Sequence, residues 1–399
     1  MPKPLGVATI SRGGNMRRDR GECPQMRSWL ILSIAIVIPF GFFYAQGQSM
    51  KGQGIGDGGR ASNATLVGPT GLAVDKNNLY IVEGWRVRRV DLKTGVITTV
   101  AGGGTQCLEW ETTQTTAPPP GCLGGPERVA VDSDGRVFVT DTWPPRVIKL
   151  GAKSDTFSTV VGKNPNLSSD SGRTESANVR WPAGIAIDPS GGLFFVSHTA
   201  HSVYRFSLRD RLLETIAGTG TKGFEGNGGP AKKAEFRFPE GLARDKKGNL
   251  FIADSRNCRI QRIDTRTGIA ATLTGTEKGG STCEGTPDGW EGLDTPTDVT
   301  VDENGNVFFV LTFRCRVQRL DAMTGAITTV AGNGESGLSG DGGPATGARL
   351  HFPEGIALDK SGNLYISDTQ NNRVRRVNLK TGIITTIAGN GPVSPDLIL

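Results

Sequence analysis

With 399 residues, 57 of them glycine and only 21% charged, the composition is that of an all-β protein rich in turns, and it excludes a charged helical bundle or a disordered polyelectrolyte. The net charge of +6 is concentrated at the front. Residues 1–28 carry Lys3, Arg12, Arg17, Arg18, Arg20 and Arg27 against Asp19 and Glu22, a balance of +4, so the rest carries 6 − 4 = +2, too little for a nucleic-acid face set by charge.

After the basic segment 1–28 comes a targeting segment at 29–47. Trp29 to Ala45 is apolar apart from Ser33, follows the arginines and ends in Ala45-Gln46-Gly47, a small-x-small cleavage pattern. The run is short for a bilayer span and contains Pro39, so it reads as a cleaved signal, with a retained membrane anchor over 29–45 as the alternative. The start is open among Met1, Met16 and Met26, and Met26-Arg27 is a candidate because residues 1–25 lack structure signals. The rest of the chain is therefore expected outside the cytoplasm, secreted or periplasmic.

Residues 50–391 are six copies of one sentence, followed by a short tail at 392–399. Prolines at 69, 126, 182, 239, 296 and 353 open the copies, at spacings of 57, 56, 57, 57 and 57 residues. A period of this length with strand-like content means one supersecondary unit repeated around a ring or along a solenoid. In the first copy, Gly71 to Asp75 is a short strand suited to a crowded axis, and Leu79 to Val82 is an apolar strand buried on both faces. Arg86 to Val90 mixes charge with branched residues and reads as partly exposed, and Val96 to Ala101 is a Thr-rich outer edge. Tight Gly-containing turns such as Asp359 to Asn363 join them as antiparallel hairpins. The expected fold is an all-β, six-bladed β-propeller of four-stranded antiparallel blades. Gly56-Asp57-Gly58-Gly59-Arg60-Ala61 aligns with Gly340 to Ala345. The ring should therefore close with the first blade packed on the sixth, without a swapped strand.

Pro353-Glu354-Gly355-Ile356-Ala357-Leu358-Asp359, then Gly362 to Asp368, then Arg373-Val374-Arg375-Arg376-Val377 resemble the NHL repeat. The Gly340 to Ala345 loop with Thr385 to Gly391 is similar to bacterial NHL proteins related to the teneurin propeller. The likeness covers about 54–391 and is weakest in the second copy, where Trp143-Pro144-Pro145 replaces the usual turn. It implies a propeller that binds something; the family shares no single chemistry.

Residues present in every copy are read as architectural. Asp75, Asp132, Asp188, Asp245, Asp302 and Asp359 end the first strand, and Arg89, Lys149, Arg205, Arg262, Arg319 and Arg376 form a series on the third. A carboxylate ring around a channel would suit Ca²⁺, but one spacing in all copies points to Asp capping the turn and Arg pairing with nearby acids. Glu83, Asp141, Asp254 and Asp368 follow the second strand in four copies. No cofactor is expected, with Ca²⁺ as the alternative.

Function is sought where the copies differ. Loops after strands two and four share one face and hold the long, irregular connections, where binding usually resides. That face carries the candidate binding residues Trp110, Trp143, His198, His201, Trp290 and Phe313. It also carries Cys107 and Cys122, expected to pair, and Cys283, expected to bridge to Cys258 rather than Cys315. Zinc held by His198 or His201 with these sulfurs is disfavoured by spacing. The expected function is non-catalytic recognition of a protein or glycan outside the cytoplasm by a monomer, without nucleic acid. The alternative is a propeller enzyme, like a metal-dependent lyase or a lactonase, although no paired-carboxylate set stands out from the repeats. RNA binding ranks third.

Overall fold

A computed structural model describes residues 55–103, 121–162, 179–275 and 295–391. It contains six four-stranded antiparallel sheets, each built from four consecutive strands. The first blade is β1 (Pro69–Val74), β2 (Asn78–Glu83), β3 (Arg86–Asp91) and β4 (Ile97–Ala101). The second is β5 (Pro126–Val131), β6 (Val137–Thr142), β7 (Pro145–Leu150) and β8 (Phe157–Gly162). The third is β9 (Pro182–Asp188), β10 (Gly192–Ser197), β11 (Ser202–Ser207) and β12 (Leu213–Ala217). The fourth is β13 (Pro239–Arg244), β14 (Leu250–Asp254), β15 (Arg259–Asp264) and β16 (Ile269–Gly275). The fifth is β17 (Pro296–Val301), β18 (Val307–Leu311), β19 (Arg316–Leu320) and β20 (Ile327–Ala331). The sixth is β21 (Pro353–Leu358), β22 (Asn363–Asp368), β23 (Arg373–Asn378) and β24 (Ile383–Ala388). Every repeat proline opens an innermost strand, where its missing N–H costs no ladder bond.

Apolar clusters lie between neighbouring sheets. Leu72, Leu79 and Ile81 of the first blade pack with Ala357, Tyr365 and Val374 of the sixth, so the ring closes as expected. Hydroxyls stitch successive blades: Ser255 Oγ donates to Pro296 O (2.6 Å), Thr312 Oγ1 to Pro353 O (2.6 Å) and Thr369 Oγ1 to Pro69 O (2.7 Å). The last of these crosses the seam.

The six repeated aspartates accept backbone N–H groups of the turns they open; Asp302 Oδ1, for example, takes Asn304 N and Asn306 N, both at 2.9 Å. The third-strand series is uneven. Arg205 pairs with Asp188 (2.8 Å) and Arg319 with Asp321 (2.7 Å), whereas Arg89, Arg262 and Arg376 are exposed.

The third strand corrects one expectation. It is not simply half-exposed, because Arg88, Arg259 and Arg375 are fully buried and Arg146 nearly so. Each meets the acid of its own second strand: Arg88–Glu83 (2.9 Å), Arg146–Asp141 (2.8 Å), Arg259–Asp254 (2.9 Å) and Arg375–Asp368 (3.2 Å). Arg88 and Arg375 also bind Asp57 (2.7 Å) and Asp341 (2.8 Å) from the glycine loops folded over the outer strands. In the fourth blade the loop residue is Asn227, and the strand position matching Arg375 is Gln261. Loop acid and strand base thus occur together or are both neutral, which makes these Gly-Asp-Gly-Gly loops ion-pair partners of buried arginines.

Candidate functional site

The residue after each opening proline alternates around the ring: Thr70, Glu127, Ala183, Glu240, Thr297 and Glu354. The next residue is glycine in four blades, Arg128 in the second and Asp298 in the fifth. These positions begin the innermost strands, so they encircle the axis at the end facing the long loops. Below them the inner strands enclose an axial cavity of about 300 Å³, with Arg128 and Asp298 in its wall.

Arg128 is the hub. Its Nη1 donates to Glu127 O (3.1 Å), its Nη2 reaches Thr297 O (3.4 Å) and Glu354 O (3.5 Å), and its Nε stands 4.0 Å from Asp298 Oδ2. Asp298 is fixed by Val299 N and Ile356 N, both at 2.9 Å. Burial opposes charge on Arg128, but Asp298 and the three glutamates outweigh it and hold the guanidinium protonated.

Four carboxyls around one guanidinium leave negative charge uncompensated in a recess. Burial pushes Glu127 up to about 7 against the opposing Arg128 and the Trp181 indole. Burial likewise raises Glu240 to about 7 against Arg128 and Arg256. Glu354 rises to about 8, through burial and then the repulsion of Glu127 and Glu240, with Arg128 opposing. The sign for stability follows from the raised values. The folded ring binds more protons than the unfolded chain between the ordinary glutamate range and pH 7–8, so stability falls as pH rises through that window. Glu354→Gln is expected to flatten this slope in urea titrations run from pH 5 to 8.5; an unchanged slope would refute it.

Aromatic side chains frame the mouth. Trp181, Phe238 and Phe352 each precede an opening proline and hold φ of 46°, 50° and 47°, where the first blade has Gly68. Side chains other than glycine adopt this left-handed region uncommonly. His198 lies between two of them, 6.3 Å from the Trp181 ring and 5.0 Å from Phe238 between centroids. Its Nε2 is 3.8 Å from Glu240 Oε1. Burial, then Arg256 and His201, lower His198 to about 3, so it stays neutral, and Arg256 is the cation that acts on Glu240 from this side.

His201 has a different task. Its Nδ1 accepts Phe238 N–H at 3.2 Å, as Asn372 Oδ1 accepts Gly68 N–H at 2.9 Å across the seam. His201, Cys258, Cys315 and Asn372 share one left-handed position after the second strand, with φ of 50°, 55°, 47° and 52°, which explains why the sequence aligns them. Asparagine tolerates that conformation best of these. Burial, ahead of Lys222 and Arg237, lowers the His201 pKa below its ordinary value. The stability this bond supplies is therefore lost as pH falls below about 6.5, where the unfolded imidazole takes up its proton. His201→Asn should keep the cross-blade bond and remove that acid-side loss, whereas His201→Ala should cost about 1–2 kcal/mol at neutral pH. Thermal unfolding at pH 7.5 and 5.5 checks both.

Of the other sequence candidates, Trp143 is exposed and precedes a cis bond to Pro144. Phe313 packs edge-on against Phe352 at 5.6 Å. Trp143 belongs to the second blade and Phe313 to the fifth. Trp110 and Trp290 lie outside the described residues, as do Cys107 and Cys283, so the two cysteine pairings stay open; Cys122, Cys258 and Cys315 are buried. The expectation that no carboxylate set stands out is corrected by Glu127, Glu240, Glu354 and Asp298. Their signal was the alternation after the prolines, which appears only with the six copies in register. Among the described residues, no three His, Cys, Asp or Glu side chains are grouped closely enough to hold a metal ion.

Residues 44–112 and 327–394 match the family model of the teneurin NHL domain, and residues 236–263 match the NHL repeat. The chain is 26% identical to NHL repeat-containing protein 2 of Gallus gallus, over 85% of this chain and 42% of that protein. It is 31% identical to teneurin-1 of Mus musculus, over 52% of this chain and 8% of that one. The chain spans less than half the length of the curated relatives it matches. A solved protein of unknown function from Bacteroides thetaiotaomicron superposes with a TM-score of 0.57 at 20% identity, covering 80% of this chain and 72% of that one. That likeness shows the fold alone.

Proposed function

Since the chain is an NHL-repeat β-propeller, similar at its first and last repeats to the teneurin NHL domain, we propose that it is a binding module. It receives a protein or glycan on the long-loop face. One observation carries this reading: Glu127, Arg128, Glu240 and Glu354, with Trp181, His198 and Phe238, depart from the repeat and converge on the mouth of a rigid ring. Rigid scaffolds that confine irregularity to one rim use it for recognition.

The rest of the proposal follows the N-terminal pattern. The module acts outside the cytoplasm as a monomer, and Cys107–Cys122 and Cys258–Cys283 staple its long connections, which mass mapping of disulfides tests. Nucleic acid is not its ligand. The decisive experiment compares the wild-type module with a Trp110→Ala, Trp143→Ala, Trp290→Ala triple variant as bait in the secreted fraction. A partner retained by the first and lost by the second supports the reading, given equal thermal stability. Equal retention by both overturns this face.

A second reading, an acid–base enzyme like the lyases or lactonases, draws on one observation, the Glu127 and Glu240 carboxyls held near neutrality. Turnover of a lactone panel that Glu240→Gln abolishes would favour it.

A further inference from the structure

Two buried polar side chains at the axial mouth lack the partners their burial demands. Arg128 is 8% exposed and its Nε makes no hydrogen bond; the nearest carboxylate oxygen, Asp298 Oδ2, is 4.0 Å away. Thr295, directly before the fifth opening proline, is 3% exposed and its Oγ1 is also without a partner. Such groups are uncommon in native proteins, and each asks for a ligand atom or water.

The chemistry of the surroundings narrows what that atom is. A cationic ligand would meet the Arg128 guanidinium, and an anionic one would meet Glu127, Glu240, Glu354 and Asp298. A neutral hydroxyl suits both, because it accepts from N–H and donates to a carboxylate with the same oxygen. Asp298 Oδ2 already takes Ile356 N at 2.9 Å and has a second lone pair to offer. A spacing of 4.0 Å between donor and acceptor is one that a single bridging oxygen resolves. Trp181, partly exposed, hydrogen-bonds the Glu127 carboxyl and so offers an aromatic face next to that polar group.

Resting on the binding reading above, we propose that the axial mouth is a pocket for a saccharide residue. One sugar hydroxyl bridges Arg128 Nε and Asp298 Oδ2, neighbouring hydroxyls meet Glu127, Glu240 and Glu354, and the C–H face of the ring lies on Trp181.

The test is saturation-transfer-difference NMR on the whole protein with the methyl pyranosides of glucose, galactose, mannose and N-acetylglucosamine, each at about 10 mM to reach weak single-residue affinities. At least one should give signals and bind about tenfold more weakly to Arg128→Met and to Glu240→Gln, since an unmatched buried polar contact is worth roughly that factor. Met323→Ala, on the opposite face and 95% exposed, should not change the affinity. Glu240→Gln preserves shape and keeps the test decisive if Arg128→Met fails to fold. Silence from all four sugars on the folded protein, or signals that neither variant weakens, would overturn the pocket. A partner still captured through the tryptophan loops alongside a silent panel would sink the pocket alone. Loss of that capture result with a responding panel would sink the loop reading alone.

Discussion

Asp254→Ala is expected to lower the unfolding free energy by about 3–5 kcal/mol, enough to threaten the fold, because it strands a buried charge. Asp254 accepts Arg237 N (2.7 Å), Asn257 Nδ2 (2.8 Å) and Arg259 Nε (2.9 Å). Both it and Arg259 are 0% exposed. The guanidinium would keep Glu235 O at 3.0 Å and the Phe224 ring at 3.9 Å, but neither neutralises it. The surface pair Lys246–Glu303 has its charges 3.0 Å apart yet 69% and 60% exposed, so Glu303→Ala should cost about 0–1 kcal/mol. Urea midpoints for the two variants decide the matter, and equal midpoints would mean the buried pairs contribute no more than surface ones.

Gly355→Ala should be nearly as damaging, for a steric reason. A Cβ there would sit 1.9 Å from Thr70 O and 3.0 Å from Thr70 C, which are backbone atoms of the first blade facing the sixth. Ser367 Oγ holds the same carbonyl at 2.8 Å, so neither side yields without opening the seam. Overpacking of this kind costs about 1–3 kcal/mol or more, and with immovable backbone as the neighbour the upper end is expected. Gly347 offers the contrast: a Cβ there meets nothing within 4 Å, and its backbone is not left-handed. Gly347→Ala should therefore stabilise by about 0.4–1 kcal/mol through the unfolded chain. A thermal midpoint for Gly355→Ala at or above that of the parent would remove the argument for close inner-strand packing.

The architecture was legible because it is written six times. Proline spacing, turn glycines and apolar strands recur in each copy, and repetition turned weak local signals into a firm ring. What escaped were features that depend on how copies meet. Arg88 and Arg375 read as solvent-facing because charge ordinarily is. Their burial depends on Asp57 and Asp341 arriving from loops about thirty residues earlier in the chain. The fourth blade reaches its acid from Arg259, two positions earlier on the strand than Arg375 on its own, so no fixed spacing announced the pairing. Glu127, Glu240 and Glu354 were hidden for a similar reason. Pro-Glu in isolation is an unremarkable strand start; only rotation about the axis sets three such glutamates around Arg128. His201 was visible as an oddity, but its role as a neutral acceptor needed Phe238 N placed opposite it.

The join between the sixth and first blades uses the bonds of an ordinary connector. Gly389 N to Ala61 O and Asn390 N to Ala64 O, both 2.9 Å, reproduce Gly332 N to Ala345 O (3.0 Å) and Asn333 N to Ala348 O (2.9 Å). Peptide continuity is therefore not what holds that junction. A circularly permuted gene that splices residue 391 to residue 51, which keeps the connector as long as the one between 334 and 340, and opens the chain between 337 and 340 instead should yield the same wheel, because any spoke can serve as the first.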